Sequence, residues 1–186
     1  MASLRCLVLM LLAAPSTAAT LDQHTFDFID GHARYRFSAT LAAPPDDVYR
    51  VLTAPELLGR INAGIRNSEI IARESTNQWT RRVLMQQCVI GICFDLQFVE
   101  HVEATGDGIL ELTQVRNAGS FREGRARWQV GAVAANTTRL TMEADQVPSF
   151  WIPPVIGPFL MRRAFLREVG DTILRIEAIA RHETVR

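Results

Sequence analysis

The chain has 186 residues, 48% of them hydrophobic and 22% charged, with 20 basic and 20 acidic side chains and no lysine, so every basic residue is arginine. That length and balance fit one globular domain with a substantial core and argue against a disordered, fibrous or disulfide-dense chain. A guanidinium stays protonated in proteins, which excludes imine formation, amine nucleophiles and a lysine-dependent P-loop. A formal net charge of zero offers no field to draw in nucleic acid.

At the start of the chain, Arg5 precedes the apolar run from Leu7 to Ala14, and Pro15 with the small residues Ser16, Thr17, Ala18 and Ala19 follows it. A charged start, a short apolar stretch and a small-residue end have the form of a secretory signal peptide over residues 1–19. Cleavage is expected after Ala19, leaving a single domain over 20–186. The run is well short of the roughly 20 residues needed to cross a bilayer, so the mature protein is expected to be soluble and periplasmic or secreted. Cys6 would leave with the leader, and loss of Arg5 would bring the mature net charge to −1.

Residues Thr25 to Asp30 alternate apolar and polar, and Arg34 to Leu41 alternate again and predict a strand. Pro44-Pro45-Asp46-Asp47 opens a helix, because proline suits the first turn and the aspartates oppose the positive end of the helix dipole. Val48, Val51 and Leu52 form its apolar face. Thr53-Ala54-Pro55-Glu56 restarts a second short helix through Leu57 and Leu58 that ends between Gly59 and Gly64.

Consecutive strands are then predicted over Ser68–Arg73, Gln78–Cys88, Ile92–Val102, Gly108–Val115, Gly124–Ala134 and Thr138–Asp145. The breaks between them carry turn chemistry, as in Glu74-Ser75-Thr76-Asn77 and Thr105-Gly106-Asp107-Gly108. Connections this short imply antiparallel neighbours. Phe94, Leu96 and Phe98 alternate with polar residues, as do Ala126, Trp128, Val130 and Ala132, so one side of the sheet is apolar. From Gly157 to Ala180 a helix of 24 residues would be roughly 36 Å long, enough to lie along that apolar face. Leu166, Val169, Ile173, Ile176 and Ala180 lie on one stripe at helical spacing.

This order of elements resembles the helix-grip fold of the START-like (SRPBCC) superfamily, most closely its coenzyme Q-binding and polyketide cyclase/lipid transport branch. The resemblance is carried by Tyr35 to Leu41, by Ala43-Pro44-Pro45-Asp46-Asp47-Val48-Tyr49 and by Val51-Leu52-Thr53-Ala54-Pro55-Glu56-Leu57. Ala54 stands where that pattern usually has aspartate. The resemblance implies an α+β fold, a curved antiparallel sheet of about seven strands gripping a long C-terminal helix. It also implies an apolar cavity between them for a lipid, isoprenoid or polyketide-like molecule.

The cavity walls are expected from Trp79, Val83, Met85, Phe94, Leu96, Phe98, Leu110, Leu112, Trp128 and Met142, with Leu166 and Val169 from the helix; core filling is the competing use of each. Gly170 on the same helix face either leaves space for a ligand or allows close packing. The segment from Val147 to Phe159 holds four prolines and many large apolar groups, whereas connecting loops are usually polar. It is either a lid or membrane-touching edge, with Phe150, Trp151 and Ile152 meeting ligand or lipid, or a loop folded onto the core. Arg162 falls on the inward stripe at 100° per residue, in helical turns already positive by dipole. It would there meet an anionic or carbonyl group of a ligand, snorkel to the rim, or pair with an internal acid such as Glu111.

Cys88 and Cys93 flank Val89-Ile90-Gly91-Ile92 and form either a hairpin disulfide or a pair of buried thiols. No metal is expected, because His24, His32, His101 and His182 are scattered, and no cofactor motif is present. His101, flanked by Glu100 and Glu103, points outward if Phe94, Leu96 and Phe98 point inward. The leading functional expectation is a periplasmic or secreted carrier of a hydrophobic small molecule. The alternative is a cyclase, dehydratase or hydrolase using Arg81, Glu111 or Arg162 in the same cavity, and a third possibility is an interaction module docking through the apolar loop.

Overall fold

A computed structural model describes residues 18–89 and 91–182. The apolar run, Arg5 and Cys6 of the expected leader lie outside the described residues, as does Ile90. The chain opens with a hairpin of β1 (Thr20–Ile29) and β2 (His32–Leu41). Its turn residues Asp30 and Gly31 both have positive φ, 53° and 80°, the backbone that a two-residue hairpin with strand-matched twist demands. On β2 the alternation holds: Ala33, Phe37, Ala39 and Leu41 are buried and the residues between them are not.

α1 (Pro45–Thr53) starts at Pro44, places Asp46 and Asp47 in its first turn and buries Val48, Val51 and Leu52. It stops at Ala54, whose extended backbone (ψ 105°) is the conformation that a following proline enforces. A 3-10 turn over Pro55–Leu57 leads into α2 (Leu58–Ile61), which buries Leu58 and Ile61.

A meander follows: β3 (Ile65–Arg73), β4 (Gln78–Val89), β5 (Ile92–Ala104), β6 (Ile109–Gly119), β7 (Phe121–Ala134) and β8 (Thr137–Pro148). β8 pairs with β2, closing one antiparallel sheet of eight strands in the order β1-β2-β8-β7-β6-β5-β4-β3. The sheet has one strand more than the sequence pattern predicts. The additional strand, β1, extends the alternating stretch back to Thr20 and is exposed at most positions on both faces, so no apolar face marks it in the sequence. Cys88 and Cys93 are cross-strand partners on β4 and β5 and are joined by a disulfide, which settles the choice between bridge and free thiols.

α3 (Gly157–Ala180) carries Pro158 in its first turn and buries Val169, Ile173, Ile176, Ile179 and Ala180. Its contacts define the shape of the sheet. Phe165 packs against Phe26 of β1 and Tyr35 of β2, with ring centroids 6.1 and 5.2 Å apart. Two and three residues on, Arg167 donates to the Cys88 carbonyl at 2.9 Å and Glu168 accepts from the Gln87 amide at 3.3 Å, both partners lying on β4. β1 and β4 stand first and seventh in the sheet, about 29 Å apart if the sheet were flat. A helix only about 10–12 Å across reaches both because the sheet curls around it. Among the described residues no helix is long and apolar enough to cross a membrane.

Candidate functional site

The concave face is built from alternate residues of every inner strand. Phe37, Leu140, Met142, Val130, Leu110, Leu112, Val102, Trp79 and Val83 are buried there and pack with Val169, Ile173 and Ile176 of α3. Phe37 meets Trp128 edge-on at 5.6 Å.

A row of polar side chains crosses this apolar face. Register sets Arg81 of β4 opposite Glu100 of β5, and Glu100 opposite Gln114 of β6. All three are more than nine-tenths buried, at 7%, 8% and 6% exposure, as is Gln146 of β8 at 7%. Arg81 grips one carboxylate oxygen of Glu100 with Nε and Nη2, both at 2.9 Å. Burying either charge alone would be costly, and the pairing offsets that cost. Gln114 has no such compensation: among the described residues neither its amide nitrogen nor its oxygen has a hydrogen-bond partner. The Ser68 hydroxyl of β3 and the Trp79 indole nitrogen are likewise buried without partners among the described residues. A buried polar group left unpaired costs about 1–3 kcal/mol. From the other arm of the sheet, Tyr35 lies near this row. Burial, then the negative charges of Glu100 and Asp145, push its phenol far above the usual tyrosine range, so it stays a neutral hydrogen-bond donor at any physiological pH.

A methyl group built on Gly170 would meet no described atom within 4 Å outside its own stretch of helix, so close packing does not require this glycine. A cleft of about 240 Å³ between α1, the β3–β4 turn and the β5–β6 turn reaches Trp79. Arg73 on its rim stands 6.0 Å over the Trp79 ring. A second cleft of about 250 Å³ lies outside the grip between Arg50, Arg60 and His182.

The sequence-predicted wall residues divide into three groups. Trp79, Val83, Leu110, Leu112, Met142 and Val169 are buried in the core, and Met85, Leu96, Phe98, Trp128 and Leu166 are half-buried. Phe94 is 52% exposed: it shares the face of Leu96 and Phe98 but sits at the hairpin tip beside Cys93. Phe150 and Trp151 are exposed at 43% and 78%, with Val155, Ile156 and Phe159 exposed beyond them. The loop is therefore not folded onto the core, although Phe150 leans edge-on against Phe121, which stacks on Phe98 at 4.7 Å.

Two positions depart from expectation. Arg162 is exposed and does not face the sheet. Along the stripe it belongs to, Leu166 is half-buried and full burial begins at Val169. Glu111 alternates with the inward Leu110 and Leu112 and so lies on the outer face, where it pairs with Arg127 at 2.7 Å. Neither contributes an interior charge. Arg81, considered for catalysis, is inside. His101 keeps 41% of its side chain exposed beside Thr80 and Glu74. Glu100, Gln114 and Tyr35 carry the polar character of the face without having been singled out in sequence. The available signal was their position, since Gln114 continues the inward series Leu110-Leu112.

The curled antiparallel sheet, the long gripping helix and the buried face between them define the class as START-like helix-grip proteins. Within it, the chain belongs to the polyketide cyclase / dehydrase and lipid transport family, whose profile matches residues 32–181. Among solved structures, it is similar to the Zhui aromatase/cyclase from a Streptomyces species, with TM-score 0.67 and 16% identity over 81% of this chain and 94% of that one. It is also similar to a START superfamily protein from Mycobacterium smegmatis, with TM-score 0.64 and 16% identity over 82% and 99% of the two chains. Human StAR-related lipid transfer protein 5 matches with TM-score 0.61 and 12% identity over 90% and 89%. At these identities the likeness is one of fold. No curated protein sequence matches the chain.

Proposed function

We propose that this protein is an exported carrier that holds a hydrophobic small molecule, of lipid, isoprenoid or polyketide-like character, between the concave face and α3. The observation that carries the reading is the Gln114 amide, buried and unpartnered beside a compensated Arg81–Glu100 pair on an otherwise apolar face. Such a surface suits a ligand that buries its body against aliphatic and aromatic groups, at about 25 cal/mol per Å², and turns one uncharged polar group to the row. Transient membrane contact through Phe150, Trp151 and Ile152 belongs to the same reading and is supported by the exposure of the first two and by the neighbouring exposed Arg162 and Arg163. The signal-like start of the chain supports export to the periplasm or medium.

A carrier is favoured over a catalyst because the interior charges are committed to each other. Arg81 and Glu100 form an ion pair, Tyr35 is held protonated, and the described residues place no histidine on the buried face. The test is native mass spectrometry of protein recovered from the periplasm, together with titration of 1-anilinonaphthalene-8-sulfonate. A co-purifying hydrophobic molecule, displaced as the dye binds, is the expected result. Protein that carries nothing and leaves the dye dark would overturn the reading.

A further inference from the structure

Glu177 is an ill-placed carboxylate by two criteria. It lies in the last turns of α3, where the helix dipole is negative and disfavours an anion, and it is only 6% exposed, where an unpaired charge is expensive. What surrounds it explains its presence. Oε2 accepts from the backbone N–H of Ala42 at 2.6 Å, just past β2, and Oε1 accepts from the backbone nitrogen of Ala19 at 3.1 Å. Arg181 approaches Oε1 only to 3.9 Å. Ala19 itself is partly buried against the core, as is Leu21, whereas Ala18 is exposed.

The nitrogen on Oε1 therefore belongs to the residue at the border between the folded domain and the small-residue segment that ends a signal peptide. Cleavage after Ala19, the position expected from sequence, would start the mature chain at Thr20 and remove this nitrogen. Cleavage one bond earlier leaves it in place. Ser16-Thr17-Ala18 also puts small residues at the two positions a signal peptidase reads, in the manner of an A-x-A site.

We propose that processing occurs between Ala18 and Ala19, and that the new α-ammonium of Ala19 seats on the buried Glu177 carboxylate. A membrane-bound signal peptidase adds water across the Ala18–Ala19 amide. Ala18 leaves as the carboxylate end of the leader, and the nitrogen of Ala19 takes up a proton at neutral pH. A neutral amide that donated one hydrogen becomes a cation that donates three, on a carboxylate oxygen that Arg181 approaches at 3.9 Å. Maturation would thus complete an ion pair that locks β1 to the end of α3.

The inference rests on the export reading, and the two fail separately. The first experiment is intact-mass measurement of the full chain expressed in a Gram-negative host and recovered from its periplasm. A mass beginning at Ala19 is expected. A mass beginning at Thr20 overturns the inference and leaves export standing, whereas unprocessed chain confined to the cytoplasm overturns both.

The second experiment uses protein released from a cleavable fusion to begin at Ala19. With no lysine in the chain, its α-amine is the only primary amine, so a succinimidyl ester reports one site. Labelling at least about tenfold slower than in the urea-unfolded chain is expected, because the ion pair withholds the reactive free base. Glu177→Gln should restore the fast rate. Nα-acetylated protein of unchanged sequence should melt roughly 2–4 °C lower, as loss of about 1 kcal/mol implies for a domain of this size. Fast labelling of the folded chain and an unshifted melting temperature on acetylation would overturn the seating.

Discussion

The two ends of α3 are built from similar apolar residues and meet opposite fates. Towards its C-terminus, Ile173, Ile176 and Ala180 are 2%, 0% and 1% exposed, closed in by α1, β1 and β2. Around its N-terminus, Val155, Phe159 and Ile156 are 88%, 63% and 57% exposed, and Trp151 just before them is 78% exposed. Between the two ends lies the polar row with its unpartnered groups. One end of the helix finishes the core, and the other leaves apolar surface that no described residue covers. An exposed apolar cluster of this kind marks an interaction surface more often than an accident of folding.

The comparison can be broken first at its middle. Arg81→Leu should destabilise the protein by about 3–5 kcal/mol by stranding Glu100 without a counter-charge, with Arg81→Leu/Glu100→Leu recovering most of the loss. Urea unfolding of the two variants checks this, and equal losses in both would mean that the row is held by something other than the ion pair.

The contrast between the ends is sharpened by a matched pair. Ile176→Ala should cost about 2–5 kcal/mol by opening a cavity in the closed end, whereas Trp151→Ser should change stability by no more than about 0.5 kcal/mol. The serine variant should instead lose co-flotation with phospholipid vesicles. A large stability loss from it would mean that the open end is core after all.

The smallest effect is expected outside the grip. Burial tends to raise the Asp145 carboxyl, but hydrogen bonds from His32 at 2.7 Å and Arg34 at 3.1 Å, with their positive charge, hold it below its ordinary 3.8. A depressed carboxylate contributes stability above its unfolded value, and that contribution disappears as pH falls through the lower folded value. Asp145 is partly exposed, so screening limits the gain to about half a kcal/mol or less. Asp145→Asn should flatten the stability profile below pH 3.8 and leave unfolding by urea at neutral pH shifted only by that amount.

Much of the architecture is legible in the sequence because its strands are amphipathic and its turns short. β2, the meander and α3 all announce themselves by period, and Pro44 to Asp47 announce α1. β1 is harder to read because an edge strand exposed on both faces has no reason to alternate strongly. Arg162 is misread for a related reason: angular position on a helix predicts burial only where something lies against that side, and among the described residues the side of α3 that bears Arg162 is left exposed. The polar row depends on register. Arg81, Glu100 and Gln114 come from three strands and meet only through the pairing of β4, β5 and β6. A trace of it was visible nonetheless, since Arg81 stands between Trp79 and Val83, and Gln114 beyond Leu112, at places where the alternation calls for an apolar side chain.

The sheet order ends at β1 on one side and β3 on the other, so the curl has a seam that no backbone ladder closes, and α3 lies along it. At its upper half the helix is held to the two arms by the Phe165 rings on Phe26 and Tyr35, and by the bonds from Arg167 to Cys88 and from Gln87 to Glu168. A closed barrel would have to unzip strand from strand to admit a bulky molecule. Here the contacts across that half of the seam are all made through side chains of α3 or β4, while the disulfide at Cys88 ties β4 to β5 in the hairpin on which the helix rests.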